Sequence, residues 1–309
     1  MDLSFWPHTS QSWADLLSGA RHADETGWHA VYVADHFMGV GRVGGRTHWR
    51  EATAQIAALA AATSRVRLSP LVLSATYRHP AVVANWAVAV DQISGGRLTL
   101  GLGAGWQENE HGQYGIALGG PGERRRRFEE YLQVVRGLLD DEVTSFDGDW
   151  YRLDEARCDG EPVQARLPIL VGAKGERMLG VVARHADEWN MWSLPAGMRV
   201  ASEVLARHCD EIGRDPASIR RCTQALVLVT DDRGEADAFV ERAGARAAIA
   251  GPPSVFAEVV AEWAEAGVDE VIVPDWDLGV PSARVEKMDA LREAVAAVGQ
   301  APSGDRRLD

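Results

Sequence analysis

Three short stretches carry residue types that could do chemistry. Gly101-Leu102-Gly103-Ala104-Gly105-Trp106 closes an apolar run; its small residues would let the backbone approach a flat ligand, and the indole would supply an apolar wall. Asp35-His36-Phe37 follows another apolar run, and a histidine at such a strand end could relay a proton near neutral pH. The same histidine could instead be satisfied by Asp35 or a backbone carbonyl and take no part in catalysis. Gly172-Ala173-Lys174-Gly175 opens a helical pattern. Its N–H groups, with Lys174 and Arg177, could cradle a phosphate, or the stretch could be an ordinary tight turn.

Other chemistries lack their motifs. Counted from Gly101, Trp106 stands where a dinucleotide fingerprint needs its third glycine, and no Gly-Lys-Ser/Thr occurs. The nine histidines are dispersed, and Asp35-His36 alone cannot close a coordination sphere, so no metal site is expected. No Gly-x-Ser-x-Gly elbow is present, and with only two lysines, Lys174 alone near the expected mouth, Schiff-base chemistry is disfavoured.

These stretches are positioned by a β-α-β unit over residues 67–111. Apolar runs at 68–73 and 98–102, without polar alternation, predict parallel strands covered on both faces, and Pro80 opens the helix between them. Along the chain, strands are predicted at 3–6, 30–34, 169–171, 188–190, 224–229 and 270–273. Helices are predicted at 12–25, 51–63, 123–140, 176–185, 199–212, 254–266 and 282–298, with an extra helix at 235–248. A hairpin over 143–153, turning at Asp147-Gly148, predicts an insertion at about 141–167. Eight strands each followed by a helix give an α/β fold, a (β/α)8 TIM barrel with insertions, as one domain over residues 1–298 with a disordered tail at 299–309. Function then belongs at the strand C-terminal ends, where the loop 38–50 is a candidate wall or lid. Ala20-Arg21-His22-Ala23-Asp24-Glu25 recurs as Ala183-Arg184-His185-Ala186-Asp187-Glu188, half a barrel apart, by duplication or by coincidence.

A formal net charge of −13 excludes a nucleic-acid partner, because neutralising phosphates needs a basic face. The one basic run, Arg124 to Arg127, reads as a solvated helix turn beside Glu129 and Glu130, with no partner assigned. Three scattered cysteines and the absence of a signal-length or membrane-length apolar run predict a cytoplasmic protein without membrane association. The strand ends would form an aromatic-lined pocket suited to a flat organic ligand.

Val33-Ala34-Asp35-His36-Phe37, Tyr77-Arg78-His79-Pro80-Ala81, Ser94-Gly95-Gly96-Arg97-Leu98, Gly101 to Trp106 with Glu110, and Ala186-Asp187-Glu188-Trp189-Asn190 together resemble the luciferase-like monooxygenase superfamily over about residues 3–298. The Asp-His pair resembles its branch that uses the deazaflavin coenzyme F420 for hydride transfer. The resemblance implies that Asp35, His36, Ser74 and Asn109 contact the cofactor and that the ring lies against Leu71, Val72 and Gly103, Ala104, Gly105 and Trp106. It places the phosphate at Gly172, Ala173, Lys174, Gly175 and Arg177, and implies a cis peptide between Leu71 and Val72. His36 matches the acid/base histidine of some members. Dehydrogenases of the branch have a glutamate where Trp106 stands, which puts alcohol dehydrogenation in doubt unless Glu110 substitutes. The implied function is an oxidoreductase acting on a small-molecule substrate. The alternatives are an FMN-dependent monooxygenase supplied by a reductase, and a flavin-binding protein without turnover. A homodimer and a reductase for flavin or F420 are compatible partners.

Overall fold

The computed structural model describes residues 1–39 and 49–300. Most of the expected loop 38–50, and residues 301–309 of the expected tail, lie outside the described residues. Parallel strands Asp2–Trp6, Ala30–Val33, Arg67–Pro70, Leu73–Ser74, Leu100–Gly103, Ile169–Gly172, Glu188–Trp192, Arg220–Gln224 and Glu270–Pro274 make one nine-stranded sheet. Arg67–Pro70 and Leu73–Ser74 are two halves of one stave, so the nine strands form eight staves. That split stave closes the barrel: Leu68 bridges Leu98, and Leu73 and Ser74 pair with Leu102 and Gly103.

Period-two alternation divides the side chains between two layers. Leu3, Phe5, Val31, Val33, Leu100, Leu102 and Val171 face the helices and belong to the main apolar core. Alternate positions fill the barrel interior, where Tyr32, Leu170, Cys222 and Ile272 form the middle layer and Trp6 lies above them. At the lower end the interior is charged. Glu270 is buried and accepts hydrogen bonds from Ser4 Oγ at 2.5 Å and Tyr32 Oη at 2.8 Å, and it pairs with Arg220 at 3.3 Å.

The helices begin and end where local chemistry dictates. Ser12 Oγ accepts the Asp15 N–H to start Trp13–Thr26, and Gly27 in the left-handed region ends it. The expected hairpin is present as Thr144–Asp147 and Arg152–Ala156, with Glu130 capping its turn through the N–H groups of Asp149 and Trp150. The repeated Ala-Arg-His-Ala-Asp-Glu segments share one device. Asp24 accepts the N–H groups of Ser64, Arg65 and Val66, and Asp187 accepts that of Ile169, each carboxylate fastening the chain entering a neighbouring strand.

Two elements differ from the sequence reading. The seventh stave is Arg220–Gln224, not the apolar run 224–229, and Leu226–Val229 leaves the barrel to pair with Ala248–Gly251 in a small parallel sheet. The true stave reads as polar because Arg220 serves the charged lower end and Gln224 the upper cavity. The helix expected at 235–248 is Arg233–Ala243, stopped by Gly244 at φ 61°, and the alanine-rich segment beyond it becomes the strand.

Burial, and then the charge of Glu270, push the Glu188 carboxyl up to about 7. The folded chain therefore keeps a proton that the unfolded chain, with a carboxyl near 4.5, has released. This contribution to stability must fall as pH rises from about 4.5 to about 7 and level off above. Urea midpoints of wild type and Glu188→Gln should diverge across that window, the variant gaining relative to wild type at pH 8; parallel pH profiles would refute the assignment.

Candidate active site

Above the charged layer the barrel opens into a cavity of about 400 Å³ whose walls include Trp6, His36, Val72, Gly103, Trp106 and Gln224. Its walls include a hydrogen-bonded cluster on the buried carboxylate of Glu110, in the short helix Glu108–Tyr114. Glu110 Oε1 lies 2.7 Å from His36 Nδ1 and accepts the Tyr77 hydroxyl, while Oε2 accepts the Phe37 N–H at 2.9 Å. Burial alone would raise the Glu110 pKa, but hydrogen bonds from His36, Tyr77 and Phe37 hold it below its ordinary value. Burial, and then the same bond to Glu110, raise the Tyr77 phenol, which stays protonated as a donor.

This geometry fixes the partner of the histidine. With Nδ1 directed at a carboxylate, His36 carries its proton there in the neutral form, and Nε2 is left as the nitrogen able to exchange a proton elsewhere. The ring is 20% exposed, lines the cavity, and makes edge contacts with Trp49 at 5.9 Å and Trp106 at 5.4 Å. Its partner is Glu110, not Asp35 or a carbonyl. Glu110 has both oxygens engaged, so it orients His36 and is not itself a free proton donor.

Asp35 is likewise committed to the framework. It takes Arg78 in a bidentate pair at 2.7 and 2.8 Å and accepts the Ser74 N–H at 2.9 Å, while Arg78 continues to Glu51. This ties the end of the second stave to the segment after the third. Ser74 Oγ lies 2.6 Å from Thr76 Oγ1, which lies 2.7 Å from His111 Nε2, and His111 Nδ1 lies 2.6 Å from the Gln107 carbonyl. The Leu71–Val72 peptide is cis, as the resemblance implies, and lies between the two halves of the third stave.

The glycine run has a second use beside the one its sequence suggests. A Cβ on Gly101 would lie 2.0 Å from the Pro70 carbonyl oxygen, and one on Gly103 would lie 2.6 Å from Val72 Cγ2. These glycines let the fourth stave press against the segment around the cis peptide, which in turn presents Leu71 and Val72 to the cavity.

The other expected residues divide. Ala104, Gly105, Gly172, Ala173 and Lys174 line the cavity, whereas Asn109, Gly175 and Arg177 are not among its walls. Asn109 donates to the Gly39 carbonyl at 3.0 Å. The Ala173 N–H is used within the sheet, bonded to Asn190 O at 3.0 Å, so any anion nest rests on the N–H groups after it, at the start of Glu176–His185. Tyr77, Gln224, Arg124 and Arg125 line the cavity without having been expected there. Tyr77 stood in a quoted motif without a role, and Gln224 opened an expected strand; the arginines had only a helix-surface signature. Asn190 Nδ2, which also reaches Cys222 O at 3.4 Å, donates to Gln224 Oε1 at 2.7 Å, and both amides line the cavity. An aromatic wall continues from His36 through Trp49, His8 and Trp276 to Trp6.

A neutral flat wall, a fixed histidine and a cationic edge suit a planar ligand with an anionic extension. The model of the luciferase-like monooxygenase family matches residues 2–303. The chain belongs to that family. Within it, an F420-dependent glucose-6-phosphate dehydrogenase of Amycolatopsis mediterranei is 35% identical over 173 residues, 56% of this chain and 50% of that protein. A pyrimidine monooxygenase of Stutzerimonas stutzeri is 31% identical over 215 residues, 65% of this chain and 58% of that protein. The solved structure of an F420-dependent secondary alcohol dehydrogenase with an F420-acetone adduct superposes with a TM-score of 0.80 at 20% identity, covering 94% of this chain and 99% of that one, a likeness of fold. No helix among the described residues is long and apolar enough to cross a membrane.

Removing the Glu110 carboxylate would strand two side-chain donors and one backbone N–H in a water-poor site. Glu110→Ala should therefore lower the unfolding free energy by about 3 to 5 kcal/mol, and Tyr77→Phe by about 1 kcal/mol. Urea denaturation at pH 7 measures both, and an Ala variant as stable as wild type would deny the cluster its structural weight.

Proposed function

We propose that this protein is an oxidoreductase that moves hydride between coenzyme F420 and a small, largely apolar organic substrate. The observation that carries the reading is His36, fixed through Nδ1 on a buried carboxylate while its ring stands in the cavity wall. At Gly103 and Gly172 a Cβ would come within 2.6 and 3.1 Å of Val72, so these glycines let the Val72 side chain seat against the strands and offer, with Leu71, an apolar wall for a fused ring. Lys174, Arg124 and Arg125 give the same cavity a cationic edge for an anionic side chain. The F420-dependent relative supports this choice, and the monooxygenase relative keeps reduced FMN with O2 as the second reading.

When bound, F420 supplies a two-electron hydride carrier. Val72, Gly103 and Gly172 would back its ring, Ser74 would meet a ring edge, and Lys174 with the helix start after Gly175 would hold the phosphate. His36 Nε2 exchanges the proton that balances hydride movement at the substrate. Glu110 holds His36 in that tautomer, and Tyr77 holds Glu110. Trp6 and Trp106 in the cavity wall would exclude water and orient a flat substrate by its faces, with Trp276 packed behind Trp6 and Trp49 against His36. Trp106 places no acid beside the reacting centre, so His36 stands as the acid/base. Within this reading Glu110 positions and does not shuttle.

Calorimetry with each cofactor should give tighter binding for F420 than for FMN. Stronger FMN binding, together with O2 consumption when a flavin reductase is added, would transfer the chain to the monooxygenase reading. His36→Ala should lose about two to four powers of ten in turnover while keeping cofactor affinity within a few-fold. Loss of cofactor binding with unchanged saturated turnover would make His36 a binding residue instead.

A further inference from the structure

The basic run Arg124 to Arg127 lies in the first turns of the helix Pro121–Asp140, and its four members do not share one environment. Arg126 sits over the Trp150 ring at 5.7 Å, and Arg127 donates from Nε to the Tyr151 hydroxyl at 3.0 Å with its guanidinium 5.9 Å from that ring. Both are engaged on the inserted hairpin. Arg124 and Arg125 instead line the cavity, together with Lys174. Arg124 has one described bond, from Nη1 to the Gly105 carbonyl at 3.4 Å, and Arg125 one, from Nη1 to Glu129 at 3.2 Å. A guanidinium carries five N–H donors, so each retains donors for a ligand.

Three cations at one cavity edge run against a chain whose formal net charge is −13. A local positive edge on an acidic protein concentrates anions at that edge. Lys174 and the helix start beside it suffice for a single phosphate, which leaves Arg124 and Arg125 without a role toward a ligand that ends there.

We propose that Arg124 and Arg125 form a second anion subsite that holds carboxylates of the oligoglutamate tail of F420, beyond its phosphate. The inference rests on the F420 reading above. It also gives that reading a physical basis for discrimination, because FMN ends at its phosphate and offers this subsite nothing. Guanidinium-carboxylate contacts at a solvent-facing edge are individually weak and screened by salt, so two of them should amount to a roughly three- to thirtyfold gain in affinity at low ionic strength.

The test measures binding by fluorescence or calorimetry for three deazaflavins: the alcohol without phosphate, the phosphorylated form without glutamates, and the form with several glutamates. Wild type should bind the glutamylated form roughly three- to thirtyfold more tightly than the form without glutamates. In an Arg124→Gln/Arg125→Gln double variant, or in about 0.5 M salt, that ratio should fall below twofold. Affinity for the alcohol should stay unchanged in the variant, which also reports that the pocket is intact. Arg126→Gln, which alters only the hairpin face, should preserve the ratio. Equal binding of both phosphorylated forms by wild type, or a tail preference that survives the double substitution, overturns the subsite while leaving the cofactor reading in place. Failure of all three deazaflavins to bind while FMN binds overturns both.

Discussion

The arrangement at the strand ends depends on one buried charge. Glu110 is fully enclosed, and an enclosed carboxylate is tolerable only if donors surround it. Three do: a histidine ring, a phenol and a backbone N–H, drawn from the second-stave loop and the segment after the third. The need to satisfy one charge thus fastens the helix Glu108–Tyr114 to both segments. It also sets the His36 ring plane and tautomer, because Nδ1 has a single strong acceptor.

A second constraint is steric and works on the same segments. Gly101 and Gly103 bring the fourth stave so near Pro70 and Val72 that no side chain fits between them. Asp35, by gripping Arg78 and the Ser74 N–H, clamps the segment after the third stave from the other side. The cavity wall at Leu71 and Val72 is therefore held by packing on one side and by a charge-assisted pair on the other. A site held in this way is preorganised, and a ligand arriving there need not order it.

Much of this was legible in the sequence, for identifiable reasons. Apolar runs without alternation marked most staves, and the strand ends placed His36, Gly103 and Lys174 at one mouth. The seventh stave was not legible by hydropathy, because the side chains of Arg220–Gln224 that face inward serve the charged floor and the cavity, while the apolar run beside it packs outside the barrel. The role of Glu110 was hidden because its partner is 74 residues away and no spacing rule connects a carboxylate to a distant histidine. The glycine run was read as room for a ligand; Gly103, Ala104 and Gly105 do line the cavity, while Gly101 and Gly103 also make room for the neighbouring segment, which no sequence pattern announced. In the basic run, two arginines stack on a hairpin and two face the cavity. Helical periodicity alone could not separate them, because the separation comes from which element packs against each side of the helix.

From floor to rim the barrel interior is layered by charge. Glu270, Glu188 and Arg220 occupy the lower end, neutral Tyr32, Leu170, Cys222 and Ile272 the middle, and Trp6 with the Asn190-Gln224 amide pair the cavity floor. The cationic side chains among the described cavity walls are Lys174, Arg124 and Arg125, at its edge. Such layering favours a ligand whose ring is neutral and whose charge is carried at one end, because the ring meets indoles and amides while the charge stays near solvent and its counter-ions. It disfavours a charged substrate head at the floor: the Nδ1 of His36 is taken up by Glu110, Asp35 is taken up by Arg78, and the floor amides offer dipoles without a counter-charge. For a ligand bound as proposed, the polarity of the cavity would separate two recognition tasks in space, with charge read at the rim and shape read below it.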